Sequence, residues 1–472
     1  MKTNDVKKNR RIAAKGGSYS LVLTAVVIAI LIAVNVLVSV VPAALTKHDM
    51  TATNLYSVTS STKAVVNTLT KDVTIYWIVQ ADKEDKIIEN LLGKYESLSG
   101  HLSVVKKNPD VYPTFAAKYT DKEVPNNSLI VECGEKSRYI SFDDIYLKDT
   151  DPTNYSYVYS FDGEGAVTSA IDYVVSDKLP KVYALEGHGE AELPAGFRTQ
   201  IEKANLELAS ISLLNQDAVP EDADALLIYA PSTDISQEEA TLLVNYLNNG
   251  GKLLLIAGPN EDGTLTNLFS VPVLFGLKAE EGLVIESDRA HYAFQQPYIL
   301  LPDIQSDAVT DPLIEEKYYV IFPLAGGISV NSTAATALLT SSSDSFIKAA
   351  GFDLKTYEKE EGDTDGPFAL AVTAKIGNDG KLIWFASSHF LDETYNAYSS
   401  GANLNLMMNA LSSLIGEREA LSIRSKSLSY NYLTISDASA TTLKVVLIGV
   451  IPAVFVLWGV FTIIDRRKKR HA

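Results

Sequence analysis

Two apolar runs bracket this chain and restrict what lies between them. Residues 21–41, LVLTAVVIAILIAVNVLVSVV, carry no charge and one strongly polar side chain, Asn35. Residues 443–464, LKVVLIGVIPAVFVLWGVFTII, repeat the pattern with Pro452 inside and Trp458 near the far end. Each run is long enough, as a helix, to cross a hydrocarbon layer roughly 30 Å thick. Proline is tolerated in such helices, and tryptophan favours the interface. A signal peptide competes for the first run. That run is long for one, and Pro42-Ala43-Ala44 makes a weak cleavage site.

Charge orients the two runs. Lys2, Lys7, Lys8, Arg10, Arg11 and Lys15 precede the first against Asp5, and Arg466 to Arg470 follow the second against Asp465. Basic flanks stay in the cytoplasm. The expectation is a two-pass protein of the bacterial cytoplasmic membrane, with basic tips 1–20 and 465–472 inside and the domain between the helices outside. The chain carries −17 overall, so the body between the basic tips is more acidic still. That balance argues against nucleic acid as partner. The single cysteine, Cys133, excludes a disulfide framework and any multi-thiolate metal site.

Between the runs the pattern predicts two α/β domains. Residues 46–160 read β-α-β-α-β-β, an order that resembles a thioredoxin-like fold without redox cysteines. The reading takes Ser57, Thr59 and Ser60 as caps, Val73–Val79 as a strand, Asp82–Leu98 as a helix and Leu102–Lys106 as a second strand. A hairpin follows around Gly134, and Asp149–Tyr159 reads as a loop. Residues 161–177 are expected to be a helical connector. Residues 178–416 read as a larger α/β domain with an insertion at about 260–345, and 417–442 as a stalk.

The larger domain opens on KVYALEGHGE, Lys181–Glu190: a short apolar strand breaking at two glycines around His188. Asp224–Tyr229 is a second strand, ending at Ala230-Pro231-Ser232. Ser236–Asn249 is a helix with a Ser236/Glu239 capping box. Lys252–Ala257 is a continuous apolar strand after its leading lysine, as in a parallel sheet covered on both faces, and ends at Gly258-Pro259-Asn260. Strand-end turns of a parallel sheet share one edge, where α/β proteins place their sites. The candidate ligand or docking residues are therefore Glu186, Gly187, His188, Gly189, Glu190, Pro231, Ser232, Gly258 and Pro259. Ser388 and His389, at the end of a later hairpin strand, join them. A histidine with two carboxylates, Glu186 and Glu190, is a possible zinc or acid–base set, against a purely structural turn or docking surface. No cofactor or metal is called for. A hydrolase would want G-x-S-x-G, which is missing from the sequence, and Cys133 lies in the other domain from the turn.

Taken in order, several segments resemble the Gldg family: DMTATNLYSVTSST and KDVTIYWIV, then KVYALEGHGEAEL, then ADALLIYAPSTDISQEEATLLVNYLNNGGKLLLIAGP. VIFPLAG, KLIWFASSHFL, NLNLMMNALSSLIG and a last helix with a basic tail complete the set. Gldg proteins are auxiliary subunits of bacterial ABC-2-type transporters, first associated with gliding motility. The resemblance implies a flavodoxin-like (class I glutamine-amidotransferase-like) second domain. It also implies a non-catalytic partner of an ABC permease and a separate ATPase, since the sequence holds no Walker motif. A free-standing envelope protein binding a glycan, lipid headgroup or peptide is the alternative. A hydrolase or transferase is the third reading.

Overall fold

The computed structural model describes residues 57–150, 156–416 apart from 215, 262 and 378, then 425–428 and 444–471, with 25–30, 32–33, 55 and 441. The basic tip 1–20, most of the run 21–42 and most of the stalk 417–442 lie outside the described residues.

The first domain is a four-stranded sheet in the order β2-β1-β3-β4 (β1 Val73–Ile78, β2 Leu102–Lys107, β3 Ser128–Cys133, β4 Lys136–Ile140). β1 runs parallel to β2 and antiparallel to β3, and β3 and β4 form a hairpin. Local chemistry sets the helices. Thr59 caps α1 (Ser60–Asn67) by accepting from the Thr62 amide at 3.3 Å. Asp85 caps α2 (Lys86–Leu98) by accepting from the Ile87 and Ile88 amides. The helix therefore starts later than its polar lead-in suggests; Asp82, at φ +64°, lies outside it. Ile88, Leu91, Leu92 and Tyr95 form the buried stripe of α2.

Two differences from the sequence reading stand out. Much of the expected loop 149–159 is a ribbon of β5 (Tyr146–Thr150) and β6 (Tyr157–Phe161), and Lys426–Ser427 returns to pair with β6. The expected connector helix is α3 (Gly163–Val175), and it packs into the first core through Val167, Ala170, Ile171 and Val174. Its small residues let it lie flat against β3 and β4.

The second domain is a ten-stranded mixed sheet. Five strands run parallel in the order β12-β10-β9-β7-β8 (β7 Lys181–Leu185, β8 Glu207–Ile211, β9 Ala225–Tyr229, β10 Lys252–Ile256, β12 Gly380–Phe385). β11 (Ala369–Ile376) joins β12 antiparallel and carries the sheet on to short strands at Ile328–Val330 and Ala335–Thr340. Within residues 260–345, Leu277–Ala279, Asp303–Ile304, Ile328–Val330 and Ala335–Thr340 thus extend this sheet, while Leu283–Ile285 and the pair Ile299–Leu300 and Phe322–Pro323 lie in small sheets of their own. Helices cover both faces. Leu227, Tyr229, Leu254 and Ile256 face α4 (Ala195–Lys203) and α6 (Ala402–Ile415). Leu226, Ile228, Leu253 and Leu255 face α5 (Gln237–Asn248). Burial on both sides is why β9 is apolar throughout and β10 is apolar from Leu253 onward.

Among the described residues one helix is long and apolar enough to cross a membrane, Val445–Thr462, and none of it is buried. It is wound as a π-helix over Val445–Val450, just before Pro452, and as an α-helix from Ile451 to His471. Phe455, Trp458 and Phe461 are each at least 70% exposed, an apolar surface that requires lipid or protein cover.

Candidate functional site

The parallel strands bring their terminal turns to one edge, and the turn after β7 carries the densest chemistry. Glu186 still belongs to the strand: its amide donates to the Ile211 carbonyl at 2.9 Å, and its side chain alternates outward after buried Leu185. Gly187 (φ +121°) and Gly189 (φ +67°) then reverse the chain around His188. A Cβ at Gly189 would lie 2.1 Å from Ser232 Oγ, so any side chain there would have to displace that hydroxyl on top of the left-handed backbone.

His188 is 4% exposed and held by two carboxylates. Nδ1 lies 3.2 Å from Glu190 Oε1, and Nε2 lies 3.0 Å from Glu239 Oε2. Glu190 Oε2 also accepts from the His188 amide at 2.8 Å. The His188 carbonyl accepts from the amides of Ser232 and Thr233. Glu239 opens α5, and the same Oε2 accepts from the Ser236 amide at 2.9 Å while Ser236 Oγ accepts from the Glu239 amide. One buried oxygen therefore serves both the capping box and the imidazole.

This arrangement replaces the expected trio of Glu186, His188 and Glu190. Glu186 is exposed and makes no part of the cluster. Its place is taken by Glu239, which sequence reasoning placed only in a helix cap. The two carboxylates sit at opposite ring nitrogens, so the three groups do not converge on a point, and no metal-binding cluster of His, Cys, Asp or Glu occurs among the described residues. With both ring nitrogens occupied, His188 offers neither a lone pair nor a proton to a substrate. The geometry makes it a cross-link between the β7 turn and the start of α5.

The other candidates line the same edge. Ser232, after Pro231, accepts through its carbonyl from Asn260 Nδ2 at 2.7 Å, tying the β9 turn to the turn after β10. A Cβ at Gly258 would meet the Ala386 carbonyl at 2.5 Å, so this turn sits hard against the end of β12, and a Cβ at Gly326 would meet the ring of Pro259. Ser388 accepts through its carbonyl from the Tyr229 hydroxyl at 3.5 Å. His389 is exposed, and its Nδ1 lies 3.4 Å from Asp392 Oδ2. His389 and His188 follow strands three positions apart in the sheet, roughly 14 Å at the usual strand spacing, so the two rings have separate partners. The hydrogen bond to Asp392 raises the His389 pKa above the ordinary histidine value. Burial, with Asp392 nearby, pushes the Tyr229 hydroxyl up to about 12.

Between Tyr229 and Pro231 the backbone takes a strained turn: Ala230 has φ +48°. A strained strand-end residue is the position from which an elbow nucleophile projects in α/β hydrolases. Here it presents a methyl group.

Comparison with known proteins follows from this architecture. Residues 179–410 match the family described as an ABC-type uncharacterized transport system, and residues 52–148 match a domain of unknown function. No curated protein matches the chain. Among solved structures, the mmIFT52 N-terminal domain is similar at 15% identity and a TM-score of 0.38, covering 50% of this chain and 97% of its own. A glutamine amidotransferase from Thermotoga maritima matches at 10% identity and a TM-score of 0.30, over 51% of this chain and 100% of its own. A domain of the alkylhydroperoxide reductase AhpF from Enterococcus faecalis matches at 12% identity and a TM-score of 0.18, over 32% of this chain and 76% of its own. Residues 179–410, the second domain, thus match the ABC-transporter auxiliary family.

Proposed function

We propose that this protein is a membrane-anchored, non-catalytic accessory subunit of a bacterial ABC transport system. Two helices, 21–42 and 443–464, hold it in the cytoplasmic membrane with both termini inside and both domains outside. The first domain is thioredoxin-like in strand order and works without redox cysteines; the second is built on a flavodoxin-like, amidotransferase-like sheet. The partners are an ABC permease, met through the helices, and a separate ATPase. The observation that carries the reading is the family match over residues 179–410, joined to an unburied apolar helix at Val445–Thr462. A non-catalytic role is supported by the methyl group at Ala230 and by the double occupancy of the His188 ring. The test is a mild-detergent pull-down of the full-length chain with mass spectrometry of its companions. Recovery of a polytopic permease and a Walker-motif ATPase supports the reading, and recovery of the chain alone removes it.

One observation favours a second reading, a free-standing envelope protein that binds a ligand. A groove of about 570 Å³ runs beside Ala335–Thr340, lined by Asp303, Gln305, Thr336, Thr340 and the serines Ser341 to Ser343. Hydroxyls, an amide and one carboxylate suit a polyhydroxylated ligand such as a glycan. A rise in melting temperature of the full chain with a soluble oligosaccharide would favour this reading.

A further inference from the structure

The segment that follows the first apolar run and the segment that precedes the second meet on one buried carboxylate. Glu164, in the first turn of α3, is 1% exposed. Its Oε1 accepts from the Thr59 amide at 2.6 Å, from Thr59 Oγ1 at 2.8 Å and from Thr62 Oγ1 at 2.7 Å. Its Oε2 lies 2.8 Å from Lys426 Nζ. Lys426 also donates to the Ser57 carbonyl, so it bridges to the entering segment directly. The leaving segment is held further by strand pairing with β6 and by the Leu428 amide on the Tyr159 carbonyl at 2.9 Å.

Burial alone would push the Glu164 pKa up; Lys426 and the Thr59 and Thr62 donors outweigh it and hold the pKa below the ordinary glutamate value. The carboxylate is thus ionised in place and dependent on groups from both arms. The same helix faces the second domain. Asp162, its N-terminal neighbour, pairs with Lys203 at 2.5 Å, and Asn205 Nδ2 donates to the Ser169 carbonyl at 2.8 Å and to Asp172 Oδ2 at 3.0 Å. Helix α3 therefore has membrane-proximal arms at one end and the turn after α4 along its side.

We propose that Glu164 is a clamp joining the two membrane-flanking arms, so that the arms and α3 move as one body and deliver displacement of the membrane helices onto the Lys203–Asn205 turn of the second domain. The proposal rests on the two-span reading given above. Its signature is reciprocity, since a residue of one arm protects the other.

The experiment is hydrogen exchange on the full-length chain in lipid nanodiscs. Lys426→Met keeps Glu164 in place and is expected to speed exchange of the Thr59 amide, in the opposite arm, at least about tenfold. Thr59→Ala with Thr62→Ala is expected to speed exchange of the Leu428 amide comparably. Amides of β9, in the second domain, hold their rates and show that the fold is retained. Changes confined to the arm that carries the substitution overturn the clamp. Co-purification with transporter subunits alongside independent arms would remove the clamp and leave the accessory role; reciprocal arms with no transporter partner would do the reverse.

Discussion

Removing the carboxylate of Glu239 tests whether the histidine cross-link holds the second domain together or merely accompanies a helix cap. Two functions converge on one oxygen, so the substitutions must separate them. Ser236→Ala deletes the hydroxyl arm of the capping box and leaves the Glu239–His188 contact, 3.0 Å long, untouched. Loss of such an arm costs about 1 kcal/mol. Glu239→Ala removes the reciprocal cap and also leaves the His188 ring, 4% exposed, with one nitrogen facing no acceptor. Leaving a buried hydrogen-bonding group without its partner adds about 1–3 kcal/mol. Native-state hydrogen exchange resolves the difference by domain. At about 1.4 kcal/mol per factor of ten, amides of β9 and β10 should exchange at least about thirtyfold faster in Glu239→Ala, and roughly tenfold or less in Ser236→Ala. Amides of β1 and β3 in the first domain serve as the internal standard. Equal effects from the two substitutions would refute the cross-link and reduce Glu239 to a cap.

Two further outcomes follow from the same edge. Gly189→Ala combines a left-handed backbone at φ +67° with a methyl group 2.1 Å from Ser232 Oγ. Adding Ser232→Ala should recover the steric part in thermal unfolding and leave a backbone cost of about 1–2 kcal/mol. His389 titrates above the usual histidine range because Asp392 accepts from it. The stability it adds is fully present below about pH 6.5 and is lost as pH rises through the raised folded value. Asp392→Asn should bring the NMR-detected pKa down and flatten that part of the pH profile.

Much of the fold was legible because its signals are local. Uninterrupted apolar runs at Ala225–Tyr229 and Leu253–Ile256 predict strands covered on both faces, and both lie inside the parallel sheet between helical layers. The Ser236/Glu239 capping box marks the start of α5 at the residue where the helix begins. The histidine cross-link was half legible. The sequence places His188 and Glu190 in one turn, but Glu239 reaches the ring only because β9 neighbours β7, and strand order is a long-range property. Glu186 misled for a local reason. Two glycines suggest that the chain turns at once, whereas the Glu186 amide prolongs the β7 ladder and sends its side chain to solvent. Helix α3 misled by composition. Its stripe of Val167, Ala170, Ile171 and Val174 shows an apolar face but does not say which domain that face meets. Nothing near Lys426 in sequence points to Glu164, which lies at the far end of the chain's path.

The edge therefore separates residues that build it from residues that can be touched. His188 is buried between Glu190 and Glu239, and Ala230 has no reactive atom, so neither acts on anything outside the domain. Glu186, Gly187, Gly189 and His389 are exposed beside them. If the accessory role is exercised here, a partner meets a surface with one free carboxylate and a histidine some strands away, on a frame made rigid by the cross-link. The two classes of residue should then fail differently. Glu186→Lys reverses an exposed charge whose removal costs the fold about 0.5 kcal/mol or less, and it should lower recovery of transporter subunits in the pull-down while leaving hydrogen exchange in β9 unchanged. His188→Gln should speed that exchange, and at temperatures where the domain remains folded it should leave partner recovery near that of the unsubstituted chain. A Glu186→Lys chain that recovers its partners in full would show that docking uses some other face of the molecule, and would return the turn after β7 to a purely structural role.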